Sequence, residues 1–267
     1  LLVSVSLIDE FLQRLDAAKR NAEMARKVTS LDKLEKVSRG GVRDRVYGQI
    51  QDMLLCGEIP PGESMPIRVL AERLGTSPMP VREALRQLLS EQGIEMLPNR
   101  TIRVPMMTLP KFLEIRNLRI LLEGNLAALA AGRVTKADIK NAQSQNLQWR
   151  KHTLGPRIDI PKSMLFNKQL HFTVYRAADQ PITFTIVRSL WLQIAPFFGM
   201  IMRDMHEGRK QGQSISRTGD QHDALVAALE KGDGERAREA IVDDIMTATE
   251  VYINRHWPDF ESAGSQS

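Results

Sequence analysis

The chain has 267 residues, 42% hydrophobic and 26% charged, which is long enough for two domains of roughly 100–200 residues each. Its net charge is +5, yet residues 1–105 hold 16 Lys and Arg against 14 Asp and Glu. There is thus no concentrated basic tail, and a polyanionic partner has to be argued from where the charges sit. The single cysteine, Cys56, excludes a disulfide framework within the chain and reads as a small core residue in a reducing compartment. The start LLVSVSLIDE meets acids too early for a secretory signal. No apolar run is read as approaching the roughly 18 residues of a membrane span. A cytoplasmic protein with no membrane partner is expected.

In chain order, an amphipathic helix is expected over residues 7–27, where Ile8, Phe11, Leu12, Leu15 and Ala18 share a face. That face is apolar enough to dock on a partner surface. With the break at Ser38, Arg39, Gly40 and Gly41, it defines an N-terminal extension, residues 1–40. A second helix runs through Val42, Val46, Ile50, Met53 and Leu54 and stops at Gly57, before a turn at Pro60, Pro61 and Gly62. A short helix from Pro66 to Leu74 ends at Gly75. After the stretch TSPMPVREALRQLLSEQG, residues 94–97 and 102–104 flank a turn at Pro98, Asn99, Arg100 and Thr101 and read as a hairpin. Beyond a linker bracketed by Pro105 and Pro110, only helices are expected: about 110–132, 135–152, 160–178, 181–204, 215–231 and 234–256. The fold class is therefore mainly α. A winged helix-turn-helix unit, 41–105, is followed by an all-helical bundle, 106–258, and a tail, 259–267.

Two prolines open the strongest helix. The first N–H groups of a helix have no partner inside it, so a residue without one loses nothing there. With Ser77 as N-cap, Pro78 is N1 and Pro80 is N3, and the Ser77 hydroxyl is expected to accept from the Met79 N–H. Because a residue before proline avoids helical angles, a start at Pro80 is the alternative. Val81, Ala84, Leu85 and Leu88 then form one apolar stripe, while Arg82 and Arg86 lie on another face. A short helix, a tight turn and a second helix with free arginines is the pattern whose second helix enters the DNA major groove. Arginine there grips phosphate or reads guanine, and the hairpin becomes a wing with Asn99 and Arg100 at its tip. A helical bundle with solvated arginines has the same spacing.

Residues 42–105 resemble the winged helix-turn-helix of GntR-family bacterial transcription regulators. The resemblance is carried by Gly57, Pro61-Gly62, Leu70-Ala71-Glu72-Arg73-Leu74-Gly75, Ser77, the run from Pro80 to Leu88, Glu91-Gln92-Gly93, Pro98-Asn99-Arg100 and Val104. It implies DNA contacts from Arg68, Ser77, Met79, Arg82 and Arg100. The residue reading adds Arg86 and Asn99. Two positions depart from the family pattern: Pro78-Met79 stand where it usually has Arg-Thr, and Thr101 where it usually has Gly. The first departure removes a base-reading arginine.

The helical remainder resembles the FCD effector domain of the FadR-like subgroup. Arg119 and Glu123 match its first helix. Four apart, they make either a surface ion pair or, as the resemblance implies for Arg119, an arm toward a ligand carboxylate. Many FCD domains hold a divalent metal with an Asp, a His one turn later, and two further His from the last helices. The corresponding residues here are Asn167, His171, His222 and Asp244. Imidazole suits a zinc- or nickel-type ion, whereas a neutral amide is a poor ligand. The alternative is a polar cavity that meets the effector without metal.

Together these readings imply a ligand-responsive, sequence-specific regulator, a repressor by expectation. It binds an inverted-repeat operator as a homodimer and answers to a small carboxylate. Two rival readings remain at this point. The order His171, His222-Asp223, Asp244 loosely follows that of helical metal-dependent phosphohydrolases, although no hydrolase or nucleotide-loop motif accompanies it. An architectural DNA binder would leave the helical domain idle.

Overall fold

The computed structural model describes residues 41–154, 158–210 and 219–257. The helix expected over 7–27 and the tail 259–267 lie outside the described residues. The N-terminal unit begins at Gly41, in a left-handed conformation, and leads into α1 (Val42–Leu55). Val46, Ile50, Met53 and Leu54, repeating at helical intervals, are all buried. Helix α2 (Ile67–Arg73) ends in a left-handed Gly75. There the Gly75 and Thr76 N–H groups return to the carbonyls of Glu72 and Ala71.

Helix α3 (Pro78–Ser90) starts at the first proline, not the second. Ser77 is the N-cap in extended geometry, but its hydroxyl makes no capping bond, contrary to the expected bond from Met79. Pro80 occupies the position whose N–H a serine cap ordinarily takes, so the hydroxyl has lost a usual partner. The predicted stripe of Val81, Ala84, Leu85 and Leu88 is buried against α1 and α2.

Strands β1 (Glu95–Met96) and β2 (Ile102–Arg103) pair antiparallel, Glu95 opposite Arg103. Ser64 bridges to Arg103 on the outer side. The turn between them is closed by Arg100 N–H donating to the Leu97 carbonyl at 2.8 Å and by Thr101 N–H donating to Asn99 Oδ1 at 3.0 Å. Arg100 itself sits at φ +63°.

The second unit has α4 (Leu109–Ala131), α5 (Lys136–Thr153), α6 (Ile160–Ala177), α7 (Pro181–Lys210), α8 (Asp220–Lys231) and α9 (Gly234–His256). Local chemistry sets several starts. Thr135 and Asp138 form a capping box on α5, and Asp159 and Asp233 accept from backbone N–H groups of α6 and α9. Helix α8 begins at Asp220 after Gly219, later than the periodicity suggests; residues 215–218 of that expected helix lie outside the described residues.

Helix α4 lies along α9, α5 along α6, and α7 against α4 and α6. Within α7, Pro181–Asp204 is long and apolar enough to cross a membrane by length and composition, so the expectation that no such run exists is corrected. Its Trp191, Leu192, Ile194, Ala195, Phe197 and Ile201 are buried in the two large cores of the molecule.

The two units meet at α1, α6 and α7. Gly57, with φ +63°, stands so close to Gly199 that a Cβ on Gly199 would lie 2.2 Å from the Gly57 carbonyl oxygen. Arg203 Nη1 donates to that same oxygen at 2.9 Å. Lys168 Nζ reaches Asp52 Oδ1 at 2.9 Å, and Ser189 Oγ donates to the Glu91 carbonyl at 2.8 Å.

Candidate functional site

Arg68, Ser77, Met79, Arg82, Arg86, Asn99 and Arg100 are all exposed. The arginines divide into two groups. Arg103 pairs with Glu95 at 2.7 Å, and Arg43 donates to Gln87 at 3.0 Å. By contrast, the side chains of Arg68, Arg82, Arg86 and Arg100 have no hydrogen-bond or ion-pair partner among the described residues. Met79, in the first turn of α3, is 62% exposed. An apolar side chain at that place is suited to a thymine methyl group rather than to guanine.

The second site lies inside the helical unit. Arg119 from α4, Asn167 from α6, His222 from α8 and Asp244 from α9 line one cavity of about 80 Å³. Trp149, Met164, Phe198, Met202 and Tyr252 supply much of its apolar wall. His171, one turn after Asn167, is fully buried and touches two of these groups. Its Nε2 is 3.2 Å from His222 Nε2 and 3.5 Å from Asp244 Oδ2, and His222 Nε2 is 3.5 Å from Asp244 Oδ1.

Burial, then the proximity of His222 and Arg119, holds the His171 pKa well below its ordinary value. Burial lowers that of His222 as well, against the pull of Asp244 and Asp223. Burial raises the Asp244 carboxyl above the usual range. Two imidazoles held toward their neutral form and the Asp244 carboxyl group thus face one another. A tetrahedral ion with bonds of about 2.0–2.1 Å sets its ligand atoms about 3.3 Å apart, close to the separations found here. The group of His171, His222 and Asp244 could therefore hold a metal ion.

Arg119 lines the cavity and its pair with Glu123 is buried, so it is not the surface ion pair of the first alternative. It is 4% exposed, and its Nε and Nη2 donate to Glu123 Oε1 and Oε2 at 2.6 and 3.2 Å. The guanidinium also lies over the rings of Trp191 and Phe198. Asp223 turns away from its neighbour His222. Its two oxygens accept from Asn146 Nδ2 at 2.6 Å and Arg150 Nη1 at 2.7 Å. The residues that sequence reasoning missed are Tyr175, Trp191 and Trp149. Tyr175 was within reach, since it follows His171 by one helical turn just as Asn167 precedes it. Nothing in the linear order points to Trp191 or Trp149.

A small winged helix-turn-helix joined to a helical bundle with a buried polar cavity defines a class: regulators that carry a DNA-binding part and an effector part on one chain. Residues 42–104 match the family model described as bacterial regulatory proteins, gntR family, and residues 114–246 match that of the FCD domain. The chain belongs to the GntR family and carries an FCD domain, as the sequence resemblance implies. It is 26% identical over 199 residues to the HTH-type transcriptional regulator McbR of Escherichia coli K12, covering 74% of this chain and 87% of that one. It is 25% identical over 213 residues to the "Probable D-xylose utilization operon transcriptional repressor" of Paenarthrobacter nicotinovorans, covering 78% and 89%. Among solved structures, E. coli McbR/YncC superposes with a TM-score of 0.73 at 22% identity, covering 81% of this chain and 99% of that one, a likeness of fold. The family is one of transcription regulators, not of enzymes, which sets aside the phosphohydrolase reading. The displaced Asp223 agrees with this.

Proposed function

We propose that this protein is a cytoplasmic, dimeric repressor whose hold on an inverted-repeat operator is set by a small carboxylate bound at a metal in the FCD cavity. One observation carries the reading: the metal-capable groups meet in a cavity built on the same helices that grip the DNA-binding unit. On α6, Asn167 lines the cavity and Lys168 pairs with Asp52 of α1. On α7, Phe198 and Met202 line it, while Gly199 and Arg203 hold Gly57. A ligand that shifts either helix therefore acts on both sites, and coupling of the usual 1–3 kcal/mol requires only a modest difference in affinity.

Charge favours the metal-borne mode over direct capture by His and Arg. Arg119 is neutralised by Glu123 and the imidazoles are held toward their neutral form, so the groups of the cavity offer a carboxylate no unpaired cation. A divalent ion supplies one, and two imidazoles select a zinc- or nickel-type ion, with Asn167 as a fourth, weak ligand. On the DNA side, Arg68, Arg82, Arg86 and Arg100 supply phosphate and base contacts, with Ser77, Met79 and Asn99 between them. A symmetric dimer imposes a palindromic operator. The test is a thermal-shift screen of Zn²⁺ and Ni²⁺, each alone and with C2–C4 carboxylates, followed by operator binding with the hits. Carboxylates should stabilise the protein only with metal. An absence of any metal-dependent shift refutes the reading.

A further inference from the structure

The shell behind His171 can be solved by counting protons. Glu123 is completely buried, and four donors converge on it. Arg119 Nε and Nη2 give it two hydrogen bonds, Trp191 Nε1 donates to Oε1 at 3.1 Å, and Tyr175 OH donates to Oε2 at 2.6 Å. Arginine and tryptophan can only donate, and a carboxylate paired with a guanidinium is ionised and can only accept. The single phenolic proton of Tyr175 is therefore committed to Glu123.

His171 Nδ1 lies 2.8 Å from the same phenolic oxygen. That oxygen has only lone pairs left, and two lone pairs do not bond, so Nδ1 carries the hydrogen. A neutral imidazole has one N–H, which leaves Nε2 as a bare lone pair. Nε2 is the atom that faces His222 and Asp244.

We infer that Tyr175, oriented by the buried Arg119–Glu123 pair, is a positioning residue that fixes His171 in its Nδ1–H tautomer and presents Nε2 as a ready ligand. This rests on reading the cluster as a metal site. It also gives Arg119 and Glu123 a use other than ligand contact. Glu123 supplies the acceptor that directs the Tyr175 proton, and the bidentate bonds from Arg119 hold that acceptor in place. A hydrogen-bond partner of this kind is worth roughly 10–100-fold in metal affinity.

The experiment uses the full chain with ¹⁵N-labelled histidine. Long-range ¹H–¹⁵N correlation spectra at neutral pH report the tautomer of His171 in the metal-free protein, and a chromophoric chelator titration reports Zn²⁺ affinity. The unmodified protein should show Nδ1–H. Tyr175→Phe should lose that single tautomer and bind Zn²⁺ roughly 10–100-fold more weakly, while keeping its helical circular dichroism. Glu123→Gln should release the Tyr175 proton toward His171 and move the tautomer to Nε2–H. An Nε2–H tautomer in the unmodified protein overturns the proposal whatever the variants do. So does a folded Tyr175→Phe that keeps both tautomer and affinity. If the unmodified protein shows Nδ1–H, Tyr175→Phe loses it, and neither binds Zn²⁺, the tautomer assignment stands and the metal reading falls.

Discussion

Two glycines in helices give a paired test of how the units are joined. Alanine is favoured over glycine inside a helix by about 1 kcal/mol, so either Gly48→Ala in α1 or Gly199→Ala in α7 is stabilising on propensity alone. A Cβ at Gly48 meets nothing within 4 Å. At Gly199 it stands 2.2 Å from the Gly57 oxygen, 2.7 Å from its Cα and 2.8 Å from its carbonyl carbon. All three are backbone atoms and cannot rotate aside. Relief requires α7 to part from the end of α1, which also strains the bond from Arg203 to the Gly57 carbonyl. Overpacking of this kind costs about 1–3 kcal/mol or more, and a lost hydrogen bond about 1 kcal/mol. Gly48→Ala should therefore gain about 0.5–1 kcal/mol, and Gly199→Ala should lose about 1–3 kcal/mol net. At about 2–4 °C per kcal/mol for a chain of this size, the two melting temperatures should separate by several degrees in opposite directions. Thermal melts followed by circular dichroism measure both. A Gly199→Ala protein as stable as Gly48→Ala would refute the backbone contact between the units.

Arg82→Ala should abolish specific operator binding without unfolding the protein, because Arg82 lies off the buried stripe of α3. Gel-shift titrations with operator and random DNA check this, and normal operator affinity would refute the assignment of α3 as the reading helix. His171→Ala combined with His222→Ala should leave operator binding intact and remove the response to metal and carboxylate, measured by the same titrations with and without both. The two buried imidazoles also carry a pH signature. Their folded pKa values lie below the unfolded value of about 6.5, so the unfolded chain takes up protons first as pH falls. Their share of stability is complete above about pH 6.5 and is lost as pH drops below it. Asp244, with its raised pKa, acts in the opposite sense from about pH 4 up to its folded value. Melting temperatures between pH 7.5 and 5.5 should fall, and the double alanine variant should show a shallower fall; equal slopes would count against two neutral buried histidines.

Most of the elements follow from local sequence alone. Helical spacing marks Val81, Ala84, Leu85 and Leu88 as one buried face, and Pro78 as a permitted first residue, because both depend only on neighbours within a turn or two. The same locality puts Asn167 and His171 on one side of α6. Locality ends where faces meet. Whether Arg119 and Glu123 form a surface pair or a buried one depends on Tyr175 and Trp191, which lie 52 and 68 residues beyond Glu123. His222 joins His171 across 51 residues, while adjacent Asp223 is drawn to Asn146 and Arg150. The same limit applies to Gly57, whose spacing marks only the end of a helix and not its seat against Gly199. Periodicity states which side chains share a face. Only the packing of one helix on another, where volume must be filled and every buried donor needs an acceptor, decides what that face encounters.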